Sequence, residues 1–483
     1  MRDEHAIIPH PAGEEQNEQF EFLTAGGRIA LKPSEEALTP YAGLVPFAAF
    51  LKHMGTVETL AATFPVKRTS PNAKPVADIV HSFMLTALAD GRRFAHVERL
   101  REDPTLNELF GMESTVGPDT IRRLFSSMKC EQASAWLSNA SAPLWQMLPD
   151  KLILDWDSTV QTKYGQQEGT AIGYNPGKPG RRSVHPLVAS AAGTRLCVAY
   201  RHRDGDTVTS TQWAEAMEEA QRHLPAGKIW LNRGDIGLGN EAVMRWHESV
   251  PGRPHYLFRL KLTKNVRKAI HALPESRWQG PCQAGTWQVA ETRVKLDGWT
   301  SERRVVVARK TQGKAPASEQ GELWKINAHE YAAYVTDLGS ETLNAWQVQA
   351  TYRDRADAEN VFDEVKNQWG FNGFMSAKKA ISATSAQLLL LVYNLWTLYL
   401  RLIEPRKHME AVKSRRWFLL IAGRLVQSGR QKALAVSVQG DWWQALKEGY
   451  TRVSRWLRTT APQLKELMAP AASALPALLP APS

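Results

Sequence analysis

Cysteine is nearly absent: three residues in 483, Cys130, Cys197 and Cys282, none in a C-x2-C spacing. That argues against a disulfide framework or a zinc ribbon and makes a reducing compartment, the cytoplasm, the default. Acid is in short supply too. Lys and Arg number 60 against 49 Asp and Glu, a net charge of +11, with a pI near 9.4. An excess of that sign favours a polyanionic partner. The opening MRDEHAIIPHPAGEEQNEQF has no charged n-region ahead of an apolar run, so no signal peptide is expected. Long hydrophobic runs are missing with one exception, AQLLLLVYNLWTLYLRLI from Ala386 to Ile403. It is near the minimum spanning length, stands alone and carries Asn394 and Arg401, so it reads as a buried core helix and no membrane partner is expected.

What is present is core-building material, with 17 Trp and a hydrophobic fraction of 43%. Residues 1–35 read as a loose polar leader. From Pro40 to about Met147 the pattern is helical and punctuated by Pro and Gly, which assigns 1–150 to an N-terminal helical region. Within it, Val116-Gly117-Pro118-Asp119 runs into TIRRLFSSM. That pattern suits a turn opening the second helix of a helix-turn-helix, with Arg122 and Arg123 on its first turns facing DNA. An ordinary capped helix fits the same residues.

From Lys151 the periodicity changes. LILDWDSTVQT, SVHPLVASAAG and RLCVAYRHRDG read as three strands of an antiparallel meander. They are followed by the helix TQWAEAMEEAQRHL, the short strand KIWLNRGD, the helix EAVMRWHESV and the strand HYLFRLKL. The order β-β-β-α-β-α-β predicts an α/β fold of ribonuclease-H-like type, a mixed sheet flanked by helices, with 151–262 as its first part. Residues 263–330 read as a β-rich insertion, with Asp297-Gly298 as a hairpin turn. Residues 331–403 read as the second part of the core and 404–468 as a basic helical C-terminal region. The Pro/Ala-rich stretch 469–483 reads as a disordered tail.

The densest chemistry lies in TYRDRADAENVFDEVK. Tyr352, Arg355, Glu359 and Lys366 sit at offsets of three, seven and fourteen. On one continuous helix they would share an arc of roughly 60°. An aromatic ring, two cations and a carboxylate on one face suit a phosphodiester held beside a metal ion. Asp357, Asp363 and Glu364 lie on the same segment, and Asp363 shares the arc as a decoy.

Two further acids close strand-like runs. In LILDWDSTV, Asp155 and Asp157 share one strand face at period two. In KIWLNRGDIGLGN, Asp235 ends a strand, and Gly234, Gly237 and Gly239 turn the chain toward the next helix with room for close backbone approach. Three carboxylates from distant positions are what two-metal phosphoryl transfer requires, and hard oxygen ligands suit Mg²⁺.

The spacing Y-x2-R-x3-E-x6-K resembles the signature around the third acid of bacterial insertion-sequence DDE transposases. Asp157-Ser158-Thr159 resembles their first acidic motif, and Asp235-Ile236-Gly237 their second. The stretch YGQQEGTAIGYNPGKPGRRSVHPL after the first acid resembles one branch of the same enzymes. The resemblance covers roughly residues 151–400. It implies Asp157, Asp235 and Glu359 as catalytic metal ligands, with Asp155 as second choice or supporting ligand. It implies two Mg²⁺ ions, with Mn²⁺ able to substitute. It further implies that Arg355 and Lys366 grip phosphates and that Tyr352 packs on sugar or base. Lys178, Arg181 and Arg182, on a glycine-rich hairpin tip or loop, would meet the DNA backbone.

Trp287, Trp299 and Trp324 in the insertion are candidates to stack on a flipped base, and sequence does not choose among them. Double-stranded DNA, as terminal inverted repeats and as target, is the implied partner. A dimer or larger synaptic assembly follows, working on the bacterial nucleoid. Two other readings stand beside this one: a carboxylate-pair glycoside hydrolase, and a domesticated DNA-binding protein with a decayed site. The first leaves the cations around Glu359 with no anion to hold, and the second predicts the loss of an acid.

Overall fold

In the strand Leu152–Ser158, Leu152, Leu154 and Trp156 enter one hydrophobic core and Ile153 enters another, as a two-residue period requires of a strand buried on both faces. Asp155 and Asp157 therefore share the face of Ile153. The structure is a computed structural model and describes residues 19–34, 36–146, 148–280, 287–311 and 329–458.

That strand, β4, is central in an eight-stranded mixed sheet of order β12-β13-β14-β11-β10-β4-β8-β9. Its members besides β4 are β8 (Leu187–Ala191), β9 (Leu196–Arg201), β10 (Ile229–Gly234), β11 (His255–Leu260), β12 (Trp287–Val294), β13 (Arg303–Thr311) and β14 (His329–Thr336). Strands β4, β10 and β11 run parallel and the remaining pairs antiparallel. The three parallel strands end together, where their following loops gather. A small sheet of order β5-β7-β6 (Gln161–Thr162, Arg182–Val184, Ala171–Ile172) branches off after β4.

Among the described residues, the α-helices that precede the sheet are α1 (Val45–Met54), α2 (Thr56–Ala62), α3 (Val76–Leu88), α4 (Glu98–Arg101), α5 (Pro104–Phe110), α6 (Pro118–Ser126) and α7 (Cys130–Gln146). Within the sheet region come α8 (Trp213–His223), α9 (Glu241–Glu248) and α10 (Lys264–His271). After β14 follow α11 (Ala345–Arg353), α12 (Ala356–Gln368), α13 (Lys379–Ile403), α14 (Ala411–Phe418) and α15 (Gly440–Leu457).

Helix α13 is the axis of the larger core and packs on α1, α3, α6, α7, α15 and β9. It is apolar all round because it is surrounded. By length and composition it could cross a membrane, but 89% of its apolar window is buried inside the fold. Asn394 explains the polar residue in that run. Its amide donates to Cys197 O at 2.7 Å and accepts from Cys197 N at 2.9 Å, pairing with the β9 backbone.

Several expectations are corrected. Residues 404–458 are not all helical. Strands β15 (Gly423–Ser428) and β16 (Gln431–Val436) form a hairpin that pairs with β3 (Leu38–Thr39) of the N-terminal region. The 263–330 segment opens on helix α10. Its strands β12 and β13 then continue the main sheet through β14 instead of interrupting it. Asp297-Gly298 lies in a loop of residues 295–302, longer than a two-residue turn. The polar leader contains a hairpin, β1 (Phe20–Thr24) with β2 (Gly27–Leu31). Cys282, Trp324 and the 469–483 tail fall outside the described residues.

Candidate active site

Register brings the first two acids together. Gly234 of β10 pairs with Trp156 of β4 in the parallel ladder, so Asp235 leaves β10 beside Asp157. Burial pushes the Asp157 carboxyl up to about 6, and the Asp235 charge adds to the rise while Arg355 and Lys366 oppose it. Asp157 Oδ1 accepts from Ser158 N at 2.8 Å, and Ser158 Oγ lies 3.1 Å from Thr209 Oγ1.

The turn after β10 is built locally. Asp235 Oδ1 accepts from Gly237 N at 3.0 Å, and Asn240 caps α9 by accepting from Val243 N at 3.2 Å. A Cβ on Gly237 would lie 2.6 Å from Thr209 Oγ1, and one on Gly239 would lie 2.6 Å from Arg259 O. What these glycines admit is neighbouring protein, a different reason from the close metal or phosphate approach expected of them.

The segment expected as one helix is two. α11 starts on a capping box of Asn344 and Gln347 and ends at Arg353, and α12 starts at Ala356. Between them Arg355 N bonds to Tyr352 O and Asp357 N to Asp354 O, three-residue steps that tighten the chain. Arg355 caps α12 with helical backbone angles, φ −60° and ψ −18°.

Arg355 thereby turns inward. It is 6% exposed. Its Nη2 donates to Trp156 O at 3.2 Å and stands 3.6 Å from Asp157 Oδ2, while Nη1 is 3.9 Å from Glu359 Oε1. The guanidinium therefore lies between Asp157 and Glu359, not on an open phosphate-facing surface.

The other acids of α12 have duties elsewhere. Asp357 pairs with Arg195 at 2.6 Å, and Asp363 accepts from Asn367 at 2.7 Å. Glu364 is buried and takes His408 Nε2 at 2.7 Å and Ala411 N at 2.9 Å. Glu359 is the one whose ionic contact, with Arg355, leads to Asp157. Lys366 lies over Phe362 at 5.8 Å, and burial lowers its pKa while the Asp157 charge raises it.

Asp155, the second choice on β4, is engaged. Arg233 donates Nε and Nη2 to its two oxygens, each at 2.7 Å, and both side chains are buried. Sequence reasoning passed over Arg233, although it precedes Asp235 by two residues and is the register partner of Asp155. Tyr352 packs on Tyr334 with ring centroids 4.6 Å apart and remains partly exposed.

The remaining candidates have neighbours of their own. Lys178 and Arg181 stand over the exposed Tyr164 ring at 4.9 and 6.0 Å. Arg182 belongs to β7 and donates to Thr170 O at 2.6 Å. The glycine-rich stretch is thus partly a three-stranded sheet. Arg122 pairs with Asp119 at 2.6 Å and lies over Phe94, while Arg123 beside it is exposed. Trp287 flanks the second core, and Trp299 lies under Arg303 at 5.0 Å.

Whether these residues suit a divalent ion divides by residue. Two adjoining carboxylates, one of them raised in proton affinity by burial and by the charge of the other, suit a hard cation. Glu359 does not complete the set as placed. Among the described residues no group of three or more His, Cys, Asp or Glu stands together to hold a metal.

Residues 24–457 match the family described as Transposase DDE domain group 1. The chain belongs to that family. As a DDE transposase it leaves the carbohydrate reading without support. None of the curated proteins matches the chain. Among solved structures it is similar to a piggyBac transposase in a cryo-EM synaptic complex with hairpin DNA. The identity is 12%, over 93% of this chain and 89% of that one, with a TM-score of 0.39.

Proposed function

We propose that this transposase is encoded by a bacterial insertion sequence and cuts DNA at the element's terminal inverted repeats. It then joins the freed 3′-OH ends to target DNA. The observation that carries this reading is the meeting of Asp157 and Asp235 at adjacent ends of parallel strands, with Arg355 linking Asp157 to Glu359. In the first step a water oxygen attacks a phosphorus and the P–O3′ bond breaks, leaving a 3′-OH and a 5′-phosphate. In the second, that 3′-OH attacks a target phosphodiester, whose own P–O3′ bond breaks in turn. Neither step needs a covalent link to the protein.

Asp157 and Asp235 are the oxygens that would face the attacked phosphodiester and orient the incoming hydroxyl. Lys366 supplies positive charge where negative charge builds on the phosphoryl oxygens, and Arg355 adds its field from between Asp157 and Glu359. Divalent ions, Mg²⁺ with Mn²⁺ as substitute, belong to this reading and would provide Lewis acidity at the aspartate pair. The strand order β9-β8-β4-β10-β11 supports a ribonuclease-H-like core. On this reading the helices before residue 150 recognise the repeats, two copies pair the ends, and the work is done in the cytoplasm on the nucleoid.

End-cleavage of labelled repeat DNA with Mg²⁺ tests the reading. Asp157→Ala, Asp235→Ala and Glu359→Ala are each expected to abolish nicking while DNA binding survives. Nicking by the Asp157→Ala protein, with loss in Asp155→Ala, would overturn the assignment on β4.

A further inference from the structure

Arginines on the β12–β13 edge of the sheet are neutralised by the chain itself. Arg293 pairs with Glu302, Arg303 with Glu241 and Glu248, Arg304 with Glu291, and Arg309 with Glu275. The neighbouring segment from β11 into α10 is treated differently. Arg259, Lys261, Lys264, Arg267 and Lys268 are all exposed, and among the described residues none forms an ion pair with a carboxylate. Asp297 does reach α10, but it takes its bond from Asn265 at 2.9 Å.

Helix α10 orients these cations. Val266 and Ile270 are its buried residues. At about 100° per residue, Lys264, Arg267, Lys268 and His271 fall within roughly a 100° arc on the opposite side. Thr263 caps the first turn by accepting from Val266 N, and Arg267 Nε donates to Leu262 O at 3.2 Å, which steadies its guanidinium. The helix is eight residues long, about 12 Å of axis. A DNA strand carries one phosphate per about 3.4 Å of axis, so this helix spans about three phosphates. That matches the three full cations of its outer face.

Placement adds a second argument. β11 runs parallel to β10, so α10 begins just past the sheet end at which Asp157 and Asp235 meet. Arg259 lies beside the site as well. Its carbonyl is the atom that Gly239 leaves room for. Burial raises the Tyr352 phenol, and the charges of Arg355 and Arg259 oppose that rise. These five cations are aligned next to the carboxylates and free of carboxylate partners, while the arginines along the adjoining edge are paired and only Lys310 among the described residues of β13 is exposed without an ion pair.

We propose that Arg259, Lys261, Lys264, Arg267 and Lys268 form a track for the phosphate backbone of duplex DNA running past the carboxylate site. The inference rests on the DNA-cutting reading and adds to it the surface that holds the duplex beside the cut. Contacts of this kind are indifferent to sequence, so no repeat sequence is needed to test them.

The test is the salt dependence of binding to a mixed-sequence duplex of about 30 base pairs, roughly 100 Å of axis. The full chain is compared with Lys264→Gln/Arg267→Gln/Lys268→Gln and with Lys264→Arg/Lys268→Arg. Losing three phosphate contacts is expected to flatten the slope of log affinity against log salt by about 2.7, at roughly 0.9 per contact. The arginine variant keeps the charges and the wild-type slope. A wild-type slope in the triple glutamine variant overturns the track and leaves the functional reading standing. A flattened slope that the arginine variant shares also overturns it, since charge would then not be the cause. No duplex binding by the wild type defeats both, while normal binding by Asp157→Ala separates the track from the cutting site.

Discussion

Arg233 and Asp155 form a two-pronged ion pair inside the sheet, with both N–O distances at 2.7 Å. The remaining Arg233 nitrogen, Nη1, donates to Thr351 O near the end of α11. One guanidinium thus ties β4 and β10 to the helix that leads into Arg355. Removing one partner leaves the other charge buried, which costs about 3–5 kcal/mol. Arg233→Met and Asp155→Leu are each expected to lower stability by that order in urea unfolding. The double variant should recover most of the loss, because two apolar chains leave no charge stranded. If both single variants unfold like the wild type, the pair does not hold the site together.

Arg355 opposes the rise in the Asp157 pKa, while burial and Asp235 drive it. Taking its charge away must push that carboxyl further above about 6. Arg355→Gln is therefore expected to slow nicking by on the order of a hundredfold, the scale of one lost electrostatic donor. The acid limb of its pH–rate profile should also move to higher pH. Single-turnover nicking across pH measures both. An unmoved acid limb would mean that Asp157 does not feel this guanidinium during the reaction.

How much of this is legible in the sequence depends on the range of the signal. The strand run from β4 to β11 was readable because alternation and turn residues are local. The meeting of Asp157 with Asp235 follows from strand ends alone once β4 and β10 are parallel. The break between α11 and α12 was not readable. Asp354 and Arg355 keep helical angles, and no Pro or Gly marks the junction. The hairpin of β15 and β16 hid in a basic stretch, although Ser428-Gly429 between alternating runs could have exposed it. Membership of β12 and β13 in the main sheet depends on pairing with β14, beyond the reach of local patterns. The duty of Arg233 needed register, which composition does not carry.

Acid sensitivity follows from three enclosed histidines. Burial lowers His81, His202 and His247 from the ordinary 6.5 to about 4. Each is neutral in the fold at pH 5, where the unfolded chain binds a proton, so their contribution is present above pH 6.5 and lost as pH falls toward 4. The loss approaches about 1.4 kcal/mol per pH unit for each histidine. His81 packs edge-on against Phe110 at 5.3 Å, and its Nδ1 has no hydrogen-bond partner. His81→Phe should keep stability at pH 7 and reduce the drop between pH 6.5 and 4.5. Urea midpoints across that range read the difference, and a parallel pair of curves would refute it.

The small β5-β7-β6 sheet is pinned by two glycines that cross. A Cβ on Gly205 would lie 2.0 Å from Ser183 O and 2.6 Å from Ala171 O, and one on Gly173 would lie 2.1 Å from Gly205 O. These neighbours are backbone of the small sheet and of the chain leaving β9, so no side chain can swing aside. Gly205→Ala must push β6 and β7 away, at a cost of about 1–3 kcal/mol as for other overpacked sites. The segment from Asn175 to Arg181 joins those strands, so loosening them frees the already exposed Arg181 peptide to enter a protease cleft. Limited trypsin digestion should cut after Arg181 faster in Gly205→Ala than in wild type. Gly177→Ala should digest at the wild-type rate, because a Cβ there meets nothing within 4 Å. Equal rates for all three proteins would show that the crossing does not anchor the sheet. Faster cutting together with weaker nicking would place the Lys178 and Arg181 tip among the elements that steady the DNA.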